Sequence, residues 1–291
     1  MHLNMPARQT LTTLRHLILD MDGVLWHGNT PMAGLASFFT DMQACGIGIM
    51  LATNNATKTV ADYVARLAGY GVNVAPSAIL TSAVATAGHL QTRYPPQTPI
   101  YVVGERGLRQ ILRDHGFVVV NETAATSLEE ELAEQPAAVV AGLDRAVTYQ
   151  RLAAAALHIR RGAAFFGTNP DVSLPTEIGE MPGAGAILAA LQATTGVTPT
   201  IIGKPGPIMF QEALRRLGGA AETTAMVGDR LETDIVGGKN AGIHTILVLS
   251  GITKPTDLPA SPIQPDFIFD DINALRQAIL RAKSAQSHHD Q

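Results

Sequence analysis

The stretch Leu17-Ile18-Leu19-Asp20-Met21-Asp22-Gly23 decides how the chain is read. Three apolar residues run directly into two acids and a glycine. A short continuous apolar run reads as a strand buried on both faces, as in a parallel sheet. Ending it in carboxylates costs stability unless they are paired or hold a metal. Gly23 permits a sharp turn and a close approach of backbone to a ligand. Similar run-and-stop patterns follow. Ile49-Met50-Leu51-Ala52 stops on Thr53-Asn54-Asn55, Thr200-Ile201-Ile202-Gly203 on Lys204, and Ala225-Met226-Val227-Gly228 on Asp229, with Asp234 shortly after. In an open parallel sheet the ligand crevice lies outside the carboxyl ends of the strands. If the four runs share one sheet, their last residues converge. Each alone also reads as ordinary structure: a turn acid, a helix cap, a solvated lysine. Their joint placement at strand ends carries the inference.

The residue types suit a divalent metal and a phosphoryl group. A carboxylate such as Asp20 can act as a covalent nucleophile toward phosphorus. A second acid two positions on, Asp22, can protonate the leaving oxygen and then activate water. Mg2+ takes oxygen ligands and keeps several waters, so one or two carboxylates plus substrate phosphate suffice. Asp229 is placed as a direct ligand. Asp234 supports the metal or serves as a first-turn acid favoured by the helix dipole. Thr53 and Asn54 stand where a strand gives way to a helix, an arrangement that offers a hydroxyl and free amides to an anion. Lys204 precedes Pro205-Gly206-Pro207 and so also faces a helix start. Trp26 and His27 either line the pocket or pack beside the first loop.

Around these runs, strand and helix patterns alternate, which predicts an α/β fold with a mainly parallel sheet. Further strands are expected at Ile100–Val103, Phe117–Val120, Ala138–Gly142, Ala164–Gly167, Thr245–Leu249 and Phe267–Phe269. Helices are expected over Thr59–Ala68, Pro207–Leu217 and Asp271–Ala282. Thr53 and Lys204 are separated by far more chain than one or two βα steps require. The expected organisation is a core of residues 1–81 and 182–291 with an α/β domain inserted at 82–181.

The bulk numbers exclude other classes. The 291 residues are 46% hydrophobic and 16% charged with net charge -4, so nucleic acid and anionic membrane are not expected partners. Met1–Thr13 lacks a signal-peptide core and no apolar run reaches a bilayer span, which reads as cytoplasmic. The single cysteine, Cys45, reads as a buried inert thiol. The polar tail, Ser284–Gln291, contains His288-His289 and reads as a frayed end. No Walker A, dinucleotide fingerprint or nucleophile elbow is present.

Asp20-Met21-Asp22-Gly23-Val24-Leu25, Thr53-Asn54-Asn55, Lys204 and Gly228-Asp229 through Asp234 resemble the four signature motifs of the haloacid dehalogenase (HAD) superfamily. The Thr-Asn-Asn form, the long insert and Thr168-Asn169-Pro170-Asp171 resemble its class IIA branch of NagD-like and p-nitrophenylphosphatase-like sugar phosphatases. The resemblance implies a Rossmann-like doubly wound parallel sheet with an inserted α/β cap. It implies a Mg2+-dependent phosphatase of small phosphate monoesters that works through an aspartyl-phosphate. Asp20 would be the nucleophile and a metal ligand. Asp22 would be acid and base, its backbone carbonyl also on the metal. Thr53, Asn54 and Lys204 would hold phosphoryl oxygens beside Gly23 and Asn55, and Asp229 and Asp234 would serve the metal. Asn169 and Asp171 would contact substrate from the cap. The loop Val172 to Met181 carries Glu177 and Glu180 and no basic residue, so a second strongly anionic substrate group is not expected there. A homodimer through the cap is expected. The alternatives are phosphotransfer to an acceptor other than water and an inactive metabolite-binding regulator.

Overall fold

The computed structural model describes residues 10–123, 125–176 and 178–287. Glu177, the first residues of the N-terminal segment and His288-His289 of the tail lie outside these. The chain divides into two compact units. The first comprises Met1–Thr53, Tyr63–Leu80 and Pro205–Gln291, and the second Asn54–Asp62 and Thr81–Lys204.

The first unit is built on a six-stranded sheet. Its strand order is Phe267–Phe269, His244–Val248, Thr224–Gly228, His16–Leu19, Gly48–Thr53, Ile79–Thr81. The central strand His16–Leu19 pairs in parallel with both neighbours, Leu19 standing beside Val227 on one side and Leu51 on the other. Leu17, Ile18, Leu19, Met226 and Val227 are fully buried, as strands covered on both faces require. Chain order reverses between His16–Leu19 and Thr224–Gly228, which makes the ends of these two strands the switch point of the sheet. The expected helices are present at Val60–Gly69, Pro207–Leu217 and Ile272–Ser287, the last capped by Asp271 Oδ1, which accepts the Ala274 N–H at 2.8 Å. A short antiparallel hairpin, Trp26–His27 with Thr30–Pro31, follows the first acidic turn. Cys45 is half-buried rather than buried.

The second unit holds a five-stranded sheet in the order Thr200–Ile201, Ala164–Gly167, Ala138–Ala141, Pro99–Val103, Val118–Val119. Every pair in it is parallel. The sequence reading grouped Thr200–Ile202 in one sheet with Leu17–Leu19. The structure instead pairs Thr200 with Phe166 and Ile201 with Gly167. The cause lies in the preceding helix, Ala184–Thr195. Its Ile187, Leu188 and Leu191 join the core formed by Tyr101, Val139, Ala141 and Phe165, so the chain leaves that helix beside the second sheet. The unit therefore runs on to Lys204, beyond the expected limit at residue 181, and takes in Asn54–Asp62 as well. The segment Val172 to Met181, read as a loop, is largely an antiparallel hairpin of Ser173–Thr176 and Gly179–Pro182. Glu180 on it is exposed. Among the described residues no helix is long and apolar enough to cross a membrane.

Candidate active site

At the switch point of the first unit, Asp20, Asp229 and Asp234 bring one carboxylate oxygen each to within 4.8 Å of one another. Asp20 is half-buried, while Asp229 and Asp234 are 2% and 1% exposed. Three carboxylates drawn this close form an all-oxygen set suited to a cation.

Each acid is fixed by the backbone around it. The Asp20 N–H donates to Val227 O at 2.8 Å, extending the strand pairing one residue beyond Leu19. Asp229 Oδ2 accepts the Ile252 N–H at 2.7 Å, and Asp229 O accepts the Thr253 N–H at 3.0 Å. The segment after the neighbouring strand His244–Val248 thus reaches across to hold the acid. Asp234 sits in a wide π-helical turn, Leu231–Ile235, a form that recurs at functional sites. Its Oδ2 accepts the N–H groups of Asp229 and Arg230 at 3.2 and 3.1 Å. Asp234 thus belongs to the carboxylate cluster and also accepts from two amides at a helix start.

Two glycines leave room for this arrangement. Gly23 has φ +84, and a Cβ there would stand 2.4 Å from Asp229 Oδ2. A Cβ on Gly251 would stand 1.9 Å from the same oxygen. The Ser250 hydroxyl donates to Gly23 O at 2.8 Å and ties the two glycine turns together.

Asp22 stands apart from the cluster by its side chain. Its Oδ1 accepts the Trp26 Nε1–H at 2.7 Å. Trp26 is fully buried, and the neighbouring His27 is exposed. Thr53 ends the strand Gly48–Thr53 and is 4% exposed. The Tyr63 hydroxyl meets it. Burial holds the Tyr63 phenol far above its ordinary pKa, and the carboxylates of Asp22 and Asp20 add to the shift. It is a neutral hydrogen-bonding group at any working pH.

The remaining sequence candidates gather in the second unit. Asn54 is their hub. Its Oδ1 accepts the Lys204 N–H at 2.8 Å and its Nδ2 donates to Lys204 O at 2.9 Å. The same Nδ2 lies 3.3 and 3.4 Å from the two Asp171 carboxylate oxygens. Asn169 Nδ2 donates to Asn54 O at 2.8 Å, and Asn169 Oδ1 accepts the Asp171 N–H at 3.1 Å. The Asn54 side chain is thus engaged with the Lys204 backbone. Lys204 is 2% exposed. Asn55 Oδ1 accepts both the N–H and the hydroxyl of Thr57, at 2.8 and 2.7 Å, so it shapes the turn into the helix Val60–Gly69.

Sequence reasoning did not assign Tyr63, Gly251 or Ile252, and it left Trp26 open. The grip of Ile252 is an amide and gives no sequence signal. The spacing of Trp26 four residues after Asp22 was visible, but its bond to that acid was not.

A strand-end carboxylate cluster on a Rossmann-like sheet defines a class, and comparison with known proteins agrees. A haloacid dehalogenase-like hydrolase family model matches residues 17–118, and an HAD-hydrolase-like model matches residues 201–275. The chain is 38% identical over 256 residues to an acid sugar phosphatase of Staphylococcus epidermidis, covering 88% of this chain and 94% of the relative. The crystal structure of a 4-nitrophenylphosphatase from Thermotoga maritima superposes with a TM-score of 0.84 at 35% identity, covering 93% of this chain and 99% of the other. A glycerol phosphate phosphatase of Mycobacterium tuberculosis, solved in complex with magnesium, superposes with a TM-score of 0.81 at 32% identity, covering 93% and 79%. The chain belongs to the haloacid dehalogenase-like hydrolases, within their class IIA group.

Proposed function

We propose that the protein is a Mg2+-dependent phosphatase of small phosphate monoesters, sugar phosphates among them, and that it works through an aspartyl-phosphate. The observation that carries this is the trio of carboxylates within 4.8 Å at the sheet's switch point. The phosphatase relatives support the reaction class, and the magnesium complex of one of them supports the metal.

The donor set fits Mg2+. It is all oxygen, carries negative charge and is hydrogen-bonded into place. Asp20, Asp229 and Asp234 would hold the ion, with the Asp22 main-chain carbonyl as the family motif implies. When bound, Mg2+ offsets the charge of the acids and of the phosphoryl oxygens.

The chain's own residues supply the chemistry. An Asp20 carboxylate oxygen attacks phosphorus while the bond from phosphorus to the ester oxygen breaks. Asp22 gives its proton to the departing oxygen, which leaves as an alcohol. Asp22, now a carboxylate, takes a proton from water. The resulting hydroxide attacks phosphorus, frees Asp20 and yields inorganic phosphate. Thr53, Asn54 and Lys204 are assigned to the phosphoryl oxygens, Asn54 through its backbone because its side chain is engaged with Lys204. Catalysis of this type rests mainly on positioning and charge neutralisation.

The test is phosphate release from p-nitrophenyl phosphate and a panel of sugar phosphates. Activity that needs Mg2+, stops with EDTA and is lost in Asp20→Asn is the expected result. Folded protein with ample Mg2+ and no turnover of any ester would refute the proposal.

A further inference from the structure

Trp26 is the only tryptophan in the chain, and it is 0% exposed. Its indole N–H is a donor with no acceptor capacity, and it is directed at Asp22 Oδ1 at 2.7 Å. The distance is at the short end for an N–H···O bond. The main chain reinforces the pair, because the Gly23 N–H donates to Trp26 O at 2.8 Å.

The ring is also clamped from behind. Tyr63 stacks on it at 6.5 Å between centroids with 17° between planes. The Arg66 guanidinium lies 4.0 Å from its centroid, and the Tyr70 ring lies at 6.0 Å. Arg66 donates to Gly28 O, and the Tyr70 hydroxyl donates to Asn29 O at 2.8 Å. Two residues of the helix Val60–Gly69 and the residue that follows it thus hold both the indole and the hairpin turn beyond it. Packing alone would fix the ring's plane, and the stack goes further by directing the N–H at the acid.

We propose that Trp26 is a positioning residue for Asp22: its N–H occupies one carboxylate oxygen and so leaves the other to exchange protons with the leaving group and water. This rests on the phosphatase reading above. The orientation of an acid matters most when the leaving oxygen is poor, because a good leaving group departs with little help. Loss of the N–H therefore discriminates between esters, whereas loss of general packing does not.

Because the chain has one tryptophan, replacing all tryptophan biosynthetically with 3-benzothienylalanine alters this site alone, exchanging N–H for sulfur at nearly constant shape. The expected result is a fall of about tenfold or more in kcat/KM for phenyl phosphate, with less than about a threefold change for p-nitrophenyl phosphate. An equal fall for both esters, or no fall, in folded protein overturns the proposal. If the unsubstituted protein hydrolyses neither ester, the phosphatase reading has failed and takes this role with it. Trp26 emission gives a second readout that needs no turnover. Asp22→Ala should shift the emission, and Asp22→Asn, which keeps an acceptor, should restore it most of the way. Emission that ignores Asp22→Ala overturns the proposal.

Discussion

The six-stranded and five-stranded sheets follow one parallel plan, yet their strands finish in different chemistry. In the first unit Leu19 leads to Asp20, the strand Gly48–Thr53 ends on Thr53, and Gly228 leads to Asp229. In the second, Val103 leads to Gly104, Ala141 to Gly142, and Gly167 to Thr168. The second unit also buries charge: Lys204 lies beyond the strand Thr200–Ile201, and Arg109, 9% exposed, lies on the helix Arg106–Asp114. Its guanidinium donates to Gly104 O, Asn121 O and Val102 O at 2.9, 2.8 and 2.8 Å. That cation is matched to carbonyls inside its own unit and completes a fold. The acids of the first unit stand against one another. A buried charge answered by neutral acceptors is structural, and a cluster of like charges points to a ligand.

That contrast can be broken in order of expected effect. Asp20→Asn should reduce phosphate release on the order of 10³-fold or more while leaving the unfolding midpoint nearly unchanged. Retention of a tenth of the activity would mean that the acid is not the nucleophile. Arg109→Met should do the opposite, lowering stability in urea by about 3 kcal/mol with kcat preserved in the folded fraction. A loss below about 1 kcal/mol would remove the structural half of the contrast.

Gly251→Ala forces a Cβ toward Asp229 Oδ2 and should weaken Mg2+ binding about tenfold, as changes beside a ligand commonly do. Calorimetric titration, or the rise in melting temperature that Mg2+ induces, measures this without turnover. Unchanged affinity would show that the loop does not hold the ligand.

The smallest effect concerns pH. Burial lowers the pKa of His158, whose Nε2 meets Glu131 O at 3.1 Å and whose ring lies 4.9 Å from Tyr101. The native state resists the proton that the unfolded chain accepts near pH 6.5. This contribution is therefore complete above that pH and declines as pH falls below it, with a slope of at most about 1.4 kcal/mol per unit. His158→Gln should flatten the stability profile between pH 7 and 5.5 by under about 1 kcal/mol. A profile identical to that of the unsubstituted protein would remove His158 as a source.

Much of the first unit was legible because its strands are apolar along their whole length and stop on residues that a core would exclude. Asp20 and Asp229 could be grouped from that pattern, while Asp234 was left between a supporting group and a first-turn acid. The run Thr200–Ile202 was assigned to the wrong sheet because so short a strand has no pattern of its own. Its sheet was decided by the apolar face of Ala184–Thr195, which packs on Tyr101 and Val139. Asn54 was legible as a residue at a helix start, but not as a clasp on the Lys204 backbone, because that contact joins residues 150 positions apart. The hairpin Ser173–Pro182 was missed for want of alternation, since its strands are short and contain Pro175 and Pro182.

The Ile252 amide carries a further consequence. It grips Asp229 from a residue whose own side chain is 53% exposed. Because the donor is main chain, almost any letter of the genetic alphabet could occupy that position and leave the bond intact, proline excepted. Variation there would look like neutral drift while the task stayed constant, and Ile252→Pro would expose a dependence that the identity of the residue conceals.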